Sequence, residues 1–224
     1  MKERSAFVIA ATKSGSGKTL LTLGLLAALV RRGLAVQPFK CGPDFIDPTL
    51  HTMVVGRVSH NLDLFMMGAD CCRRIFERSF DEADVRLVEG VMGLFDGGAA
   101  STAALARVLD LPVLLVVDAR SAAESVAAVV KGFEIYDPQI RLCGVVLNQT
   151  GSVRHVELIR GALAASCATP LLGAFPRNQQ FAMPERHLGL HMGEENPLSV
   201  DQIDRLAAAV EQHSDRSMLA QTTD

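Results

Sequence analysis

Short apolar runs alternate with amphipathic stretches along nearly the whole chain. The apolar runs are almost uninterrupted, as in Val113–Val117, a pattern typical of strands buried on both faces of a parallel sheet. Between them, apolar residues recur at the three- and four-residue spacing of helices that pack on a sheet. The pattern predicts strands at 6–11, 35–39, 85–89, 112–118, 142–147 and 170–174, and helices at 17–32, 68–79, 102–110, 121–134, 153–166 and 200–213.

This alternation predicts an α/β fold, a doubly wound, mostly parallel sheet with helices on both faces. The local sequence supports several helix boundaries. Gly33 suits the C′ position after the first long helix. Ser101 or Thr102 can cap the third helix and Ser121 the fourth, because a hydroxyl oxygen accepts hydrogen bonds from the free N–H groups of a first turn.

Composition limits the classes of protein that fit. The chain has 224 residues, of which 49% are apolar, enough for one large domain, which we place at 1–215 with a polar tail at 216–224. The net charge is −3 without a basic tract, which argues against a nucleic-acid partner. The apolar runs are too short to span a bilayer, and the first strand follows Met1–Ser5 too closely to leave room for a secretory signal. We therefore expect a cytoplasmic protein with no membrane partner.

The cysteines fit the same compartment. There are five of them, an odd number with no C-x-x-C pair, so we expect reduced thiols. Cys71 and Cys72 could form a redox pair, but two buried thiols on a helix is the favoured interpretation.

A segment rich in glycine separates the first predicted strand from the first predicted helix. Strand, glycine-rich turn and helix together form the context of a phosphate-binding loop, so the sequence predicts a P-loop NTPase. Lys18 would reach the terminal phosphates and the Thr19 hydroxyl would bind Mg²⁺. Thr12 stands where the usual pattern has its first glycine. The residues expected to hold the nucleotide here are Thr12, Lys13, Ser14, Gly15, Ser16, Gly17, Lys18 and Thr19.

Carboxylates follow the neighbouring strands at the edge where such sheets bind ligands. Glu89 ends a buried strand, where a carboxylate is costly unless a cation lies beside it. Asp44 and Asp47 follow the second predicted strand. Because Mg²⁺ on a nucleotide takes one or two carboxylates, Glu89 is the first candidate ligand and the two aspartates come next. For Asp44 and Asp47, capping of a turn stays open as the alternative.

Several longer segments have distinctive sequences. They are V-Q-P-F-K-C-G-P-D-F-I-D-P at 36–48, H-T at 51–52, N-L-D at 61–63, E-G-V-M-G-L-F-D-G at 89–97, S-T-A at 101–103 and P-E-R-H-L-G-L at 184–190. In this order they resemble the cobyrinate a,c-diamide synthases, over nearly all of residues 5–215. The N-terminal half is also similar to dethiobiotin synthetase, which shares threonine at the first-glycine position of the loop.

The resemblance implies an ATP-dependent ligase of cobalamin biosynthesis. Such enzymes convert the a and c acetate carboxylates of a corrin into amides, through acyl phosphates that ammonia then displaces. The resemblance, with the need for cations where a carboxylate meets ATP, implies catalytic roles for Lys18, Lys40, Asp44, Asp47 and Glu89, Mg²⁺ ligation by Thr19, Asp44 and Glu89, nucleotide contacts from Asn148 and Pro176, and substrate contacts from Asp47, Asp96, Arg186 and His187. For His187, a helix or turn cap stays open.

Two departures leave alternatives. Full-length members carry a C-terminal glutamine amidotransferase domain, and this sequence stops before it, so ammonia is expected from a glutaminase domain or subunit. The segment at 97–101 is shorter than the family pattern, which leaves hydrogenobyrinate or nickel-sirohydrochlorin open as the tetrapyrrole. Finally, Lys13 in the phosphate loop also fits a partition-type ATPase, a nucleotide-switched module that acts as a homodimer.

Overall fold

The computed structural model describes residues 5–177 and 198–215, and the strands of these ranges form one seven-stranded sheet in the order β3-β2-β4-β1-β5-β6-β7. Every pair of neighbouring strands is parallel. The strands are β1 (Ser5–Ala11), β2 (Val36–Cys41), β3 (His60–Leu62), β4 (Val85–Glu89), β5 (Val113–Asp118), β6 (Leu142–Thr150) and β7 (Leu171–Pro176). The helices are α1 (Lys18–Arg31), α2 (Asp47–Val55), α3 (Leu64–Arg78), α4 (Thr102–Leu109), α5 (Ser125–Tyr136), α6 (Val153–Ser166) and α7 (Val200–His213).

Apolar side chains on the two faces of the sheet form two separate cores. Along β1, Val8 and Ala10 join the core under α3, α4, α5 and α6. Phe7 and Ile9 join the core under α1, α2 and α7. Because successive strand residues point to opposite faces, a strand between two helical layers must be apolar throughout. The predicted fold class, with helices on both faces, is confirmed.

Most element boundaries agree with the sequence prediction to within a few residues. Gly33 closes α1 in the left-handed region at φ 76°, and the Ser101 hydroxyl accepts from the N–H of Ala104 at the start of α4. The prediction for Ser121 is wrong. It lies outside α5, which begins at Ser125 without a side-chain cap at Glu124, and its φ of 57° is incompatible with the extended backbone of an N-cap.

Two elements between β2 and α3 were not predicted. The helix α2 begins with Asp47 and Pro48 and is followed by Gly56 at φ 70°, which are start and stop signals that could have been recognised. The strand β3 has three residues and pairs only with β2. An edge strand this short has no periodicity to detect.

The helix α3 corresponds to the helix predicted at 68–79 and carries one additional turn ahead of it. It begins at Leu64 rather than at residue 68, because the Asp63 carboxylate accepts from the N–H groups of Phe65 and Met66. Gly68 interrupts it with φ 73° and ψ 167°. The first turn of α3 is therefore a separate short helical turn, which precedes the longer helical segment.

The five cysteines are free. Of the two on α3, Cys72 is buried and Cys71 is partly buried. Within the described residues, none of the helices combines the length and the apolar character needed to cross a bilayer. Residues 216–224, predicted to be a polar tail, lie outside the described ranges.

Candidate active site

The loop between β1 and α1 has the conformation that its glycines require. Gly15 and Gly17 adopt left-handed φ values of 74° and 98°. A Cβ on Gly17 would lie 2.1 Å from Asn148 Nδ2, so no larger residue fits there. No side chain caps the N-terminus of α1, which leaves its first N–H groups free for an anion. The loop is thus shaped to bind phosphate.

Asn148, two residues before the end of β6, holds this loop in place. Its Nδ2 donates to the Ser16 carbonyl at 2.9 Å, and its Oδ1 accepts from the Gln149 N–H at 2.9 Å. The amide of Asn148 therefore already has two partners within the protein. Its contact with adenine stays a prediction.

Lys18 extends from the start of α1 to the loop after β4. Its Nζ donates to the Met92 carbonyl, and burial lowers the pKa of its ammonium group from the ordinary value. A carbonyl is a neutral acceptor, and an anionic oxygen would bind the same donor more strongly. The position therefore suits a lysine that meets a phosphate oxygen.

Glu89, at the end of β4, is fully buried and accepts hydrogen bonds on both oxygens. Its Oε1 lies 2.7 Å from Thr19 Oγ1 and 3.1 Å from Lys40 Nζ, and its Oε2 lies 2.7 Å from His51 Nε2. Burial alone would raise the pKa of Glu89, but Lys40, His51 and Thr19 outweigh it and hold the pKa well below the usual range. The buried carboxylate is therefore ionised, with protein donors as its compensating partners.

Four side chains, Lys40, Asp47, His51 and Glu89, contact one another and form what we call the buried cluster. Lys40, near the end of β2, is at its centre. Its Nζ lies 2.6 Å from Asp47 Oδ2, 3.1 Å from Glu89 Oε1 and 3.1 Å from the Gly90 carbonyl. Burial opposes its charge, yet Glu89 and Asp47 raise the pKa of Lys40 above the ordinary value. An ammonium group has three donors, and all three have partners here. A contact between Lys40 and phosphate would require one of these bonds to exchange, and it stays a prediction.

The two aspartates after β2 have different surroundings. Asp44 Oδ1 accepts from the N–H groups of Ile46 and Asp47, at 2.8 and 3.0 Å, so the turn-capping alternative is found for Asp44. Its Oδ2 remains 4.0 Å from Lys40 Nζ. Asp47 is buried, and both burial and the nearby Glu89 raise its pKa, against the influence of Lys40. Both carboxylates thus face Lys40.

His51 is the member of the cluster that had no predicted role. It is 0% exposed, and its Nδ1 lies 3.1 Å from Ser59 Oγ. Asp47 and His51 are four residues apart on α2, so one face of this helix carries both side chains to the ends of β2 and β4. Because an ionised Glu89 can only accept, His51 Nε2 must donate to it. Recognition of α2 from its Asp-Pro start and Gly end would have revealed this spacing.

The remaining predicted residues lie around this centre or outside the described residues. Asp96 Oδ2 accepts from the Gly93 N–H at 2.9 Å and closes the turn after β4. Lys13 Nζ is 3.8 Å from Asp118 Oδ2, and 66% of the Lys13 side chain is exposed. Pro176 ends β7 beside Thr150 of β6. Arg186 and His187 are not among the described residues.

The chemistry of the donors fits Mg²⁺ bound together with phosphate. Within residues 5–177 and 198–215, no group of three His, Cys, Asp or Glu side chains could hold a metal ion alone. Three carboxylates nevertheless surround the Lys40 ammonium, which leaves an excess of negative charge. Thr19 uses its hydroxyl hydrogen on Glu89, so its oxygen keeps lone pairs for a cation. One or two protein oxygens are sufficient when phosphate supplies the others.

A parallel sheet whose first strand leads through a glycine-rich loop into a helix beginning Lys-Thr defines a P-loop nucleotide-binding domain. Residues 7–190 match the CbiA family, described as the CobQ/CobB/MinD/ParA nucleotide binding domain. The chain belongs to this family.

Curated relatives support the resemblance found in the sequence. The cobyrinate a,c-diamide synthase of Syntrophotalea carbinolica is 49% identical over 213 residues, which cover 93% of this chain and 46% of that protein. The synthase of the same name from Dehalococcoides mccartyi is 44% identical over 209 residues, 91% of this chain and 45% of that one. For Salmonella typhimurium the identity is 43% over 215 residues, 94% and 47%. The chain thus spans about half the length of the curated relatives it matches.

Solved structures support the fold. The signal recognition particle receptor FtsY from Elizabethkingia anophelis aligns with a TM-score of 0.56 at 15% identity, over 92% of this chain and 66% of that one. A DUF1611 family protein from Anabaena variabilis aligns with a TM-score of 0.51 at 17% identity, over 77% and 53%. At this identity the likeness shows only a shared α/β architecture.

Proposed function

We propose that this chain carries the ATP-dependent amide synthesis of a cobyrinate a,c-diamide synthase, and that its substrate is a corrin bearing acetate carboxylates. The observation that carries the proposal is the direct bond between the phosphate loop and the buried cluster, where Thr19 donates to Glu89 beside Lys40. The similarity to the three synthases supports the choice of substrate.

The chain's own residues can bring two anions together. The free N–H groups at the start of α1 bind phosphate oxygens, and Lys18 supplies a desolvated cation at the same place. Lys40 neutralises part of the charge of Glu89 and Asp47. A substrate carboxylate therefore meets the Lys18 ammonium, whose acceptor is a neutral carbonyl, while Lys40 offsets part of the charge of the acids behind it.

The proposed chemistry proceeds in two displacements. A carboxylate oxygen of the corrin forms a bond to the γ-phosphorus of ATP while the bond from that phosphorus to the ADP oxygen breaks. The nitrogen of ammonia then bonds to the acyl carbon, phosphate leaves with the C–O electron pair, and the nitrogen loses one proton. The residues described above hold and orient the anions in both steps.

Mg²⁺ would be held by Thr19 and Glu89, with Asp44 as the further ligand that the family resemblance implies. When bound, it would neutralise charge that develops on the phosphate oxygens. Replacing Glu89 with glutamine should raise the Mg²⁺ concentration needed for half-maximal turnover at saturating ATP, because a neutral amide is a weaker ligand for a hard cation. A Mg²⁺ titration of turnover measures this.

The control for Glu89→Gln is thermal unfolding of the same variant. Glutamine keeps one oxygen acceptor for Thr19 and Lys40. We therefore expect the Mg²⁺ concentration for half-maximal turnover to rise clearly while the melting temperature changes little. A collapse of the melting temperature with an unchanged Mg²⁺ titration would make Glu89 a structural carboxylate.

The nitrogen donor provides the direct test of the proposed function. Burial, with a contribution from Cys71 in the case of Cys72, raises the pKa of Cys72 and Cys143 to about 11, and burial raises the pKa of Cys41. A glutaminase nucleophile needs the opposite shift. We expect ADP and amidated cobyrinate from ATP, Mg²⁺ and ammonium, and no product from glutamine.

Mass spectrometry of the corrin and an ADP assay read out this experiment, with hydrogenobyrinate and nickel-sirohydrochlorin as comparison substrates. Glutamate released from glutamine by the purified chain would refute the assignment of ammonia as its donor. ATP-dependent dimerisation without amide formation from any of the three tetrapyrroles would refute the proposed reaction.

A further inference from the structure

Four large apolar side chains are exposed at the carboxyl edge of the sheet. Phe45 is 76% exposed, Phe65 89%, Met66 73% and Met92 44%. They follow three strands that are neighbours in the sheet, β2, β3 and β4. We call these four residues the apolar rim. Exposed apolar side chains that lie together mark binding surfaces, whereas singly scattered ones need no explanation.

The local backbone holds the rim residues outward. Asp44 caps the turn that contains Phe45, so the flanking carboxylates face Lys40 while the ring between them lies in solvent. Phe65 and Met66 are fixed by their N–H bonds to the Asp63 carboxylate. Gly68 then ends this first turn of α3. These caps fix the backbone from which the Phe45, Phe65 and Met66 side chains project.

The rim borders the buried cluster directly. Met92 accepts the hydrogen bond from Lys18 through its carbonyl, and Phe45 lies between the two aspartates that face Lys40. The Asn61 side chain ties β3 to the carbonyl of Asp44 at 2.7 Å. From β3 to β4 the sheet spans two strand spacings, about 10 Å. A flat apolar ligand of that width, seated on the rim, would lie beside Lys18, which contacts the backbone of Met92.

We infer that the apolar rim binds one face of the tetrapyrrole ring, so that an acetate at the ring edge reaches Lys18. This inference rests on the proposed function and adds a recognition surface to it. A macrocycle with carboxylates on its periphery is apolar across its faces and anionic at its edge. The rim and Lys18 present the same separation, an apolar surface beside an ammonium group whose acceptor is the neutral carbonyl of Met92.

The test compares single serine variants of Phe65, Met66 and Phe45 with Val153→Ser. Val153 is 80% exposed and begins α6, beyond β6 on the other side of β1 in the sheet order. Cobyrinate titrated into each protein and followed by its visible absorption gives the Kd. The Kd of the Phe65→Ser variant should be about tenfold higher, because one buried aromatic contact with the ligand is lost. Val153→Ser should bind as tightly as the unaltered chain.

The KM for ATP and the melting temperature provide the remaining readouts. Both should stay unchanged in the rim variants, because the side chains are exposed and the phosphate loop is untouched. If the unaltered chain amidates cobyrinate and all three rim variants bind it with unaltered Kd, the rim does not hold the ring and serves another partner. If the unaltered chain neither binds nor amidates any tetrapyrrole, the proposed function itself fails, and the inference fails with it.

Discussion

Replacing Lys18 with alanine should lower kcat for ammonia-dependent amidation by about 10²–10³-fold, the usual cost of removing one charged donor from a developing anion. The lysine begins α1 beside the phosphate loop and has a neutral carbonyl as its hydrogen-bond acceptor. Since burial already opposes its charge, its removal should cost the fold little. Steady-state kinetics and thermal unfolding of the same preparation separate the two effects.

Lys131→Ala serves as the matched control for Lys18→Ala. Lys131 lies on α5, where it pairs with Glu134 at 3.0 Å and is 45% exposed. It should leave kcat and the melting temperature close to those of the unaltered chain. Turnover of Lys18→Ala near the unaltered value would remove the phosphate loop from the mechanism.

Replacing Lys40 with methionine should lower the free energy of unfolding by about 3–5 kcal/mol at neutral pH, because it leaves buried carboxylates without their cation. Glu89 and Asp47 both contact the Lys40 ammonium and are almost completely buried. Methionine has a similar length, so the loss is electrostatic rather than a cavity. Urea unfolding measures it, with Lys131→Met as a surface control expected to cost about 0–1 kcal/mol.

The stability deficit of Lys40→Met should depend on pH in a defined direction. In the unaltered chain the pKa of Glu89 lies below its ordinary value of 4.5, so its contribution is present above that pH and is lost as the pH falls toward the lower value. Without Lys40, the pKa of Asp47, which burial and Glu89 already raise, should rise further, and burial should raise that of Glu89. The protonated forms then favour folding, so the deficit of Lys40→Met should shrink as the pH falls from about 7 to about 5. A deficit that is constant with pH would show that packing, not charge, is lost.

The sheet and most of its helices could be predicted from the sequence because their cause is local. Fully apolar strands and amphipathic helices follow from burial between two layers, and Glu89 could be singled out because it ends such a strand. The partners of Glu89 could not be predicted in the same way. Lys40 and His51 reach it from other elements, and a contact between residues 49 or 38 positions apart leaves no periodic signal.

Glu89 was predicted to bind a metal because it ends a buried strand. A buried carboxylate needs a compensating charge, and that requirement was correct. The sequence did not reveal that Lys40 and His51 meet it within the protein. The metal role of Glu89 therefore depends on the titration proposed above rather than on its burial. The exposed side chains of the apolar rim were equally hidden, since hydropathy does not reveal their exposure.

The packing of α7 against α1 joins the end of the described residues to the first helix of the fold. Gly24 on α1 has no room for a side chain, since an added Cβ would lie 2.7 Å from Val210 Cγ2 and 3.1 Å from the Leu206 carbonyl. Beyond α7, Asp215 donates its N–H to the Leu172 carbonyl of β7 at 2.7 Å. A fragment cut ahead of Val200 would uncover the apolar flank of the very helix that begins at the phosphate loop. We therefore expect that a fragment must extend through Asp215 to keep this packing.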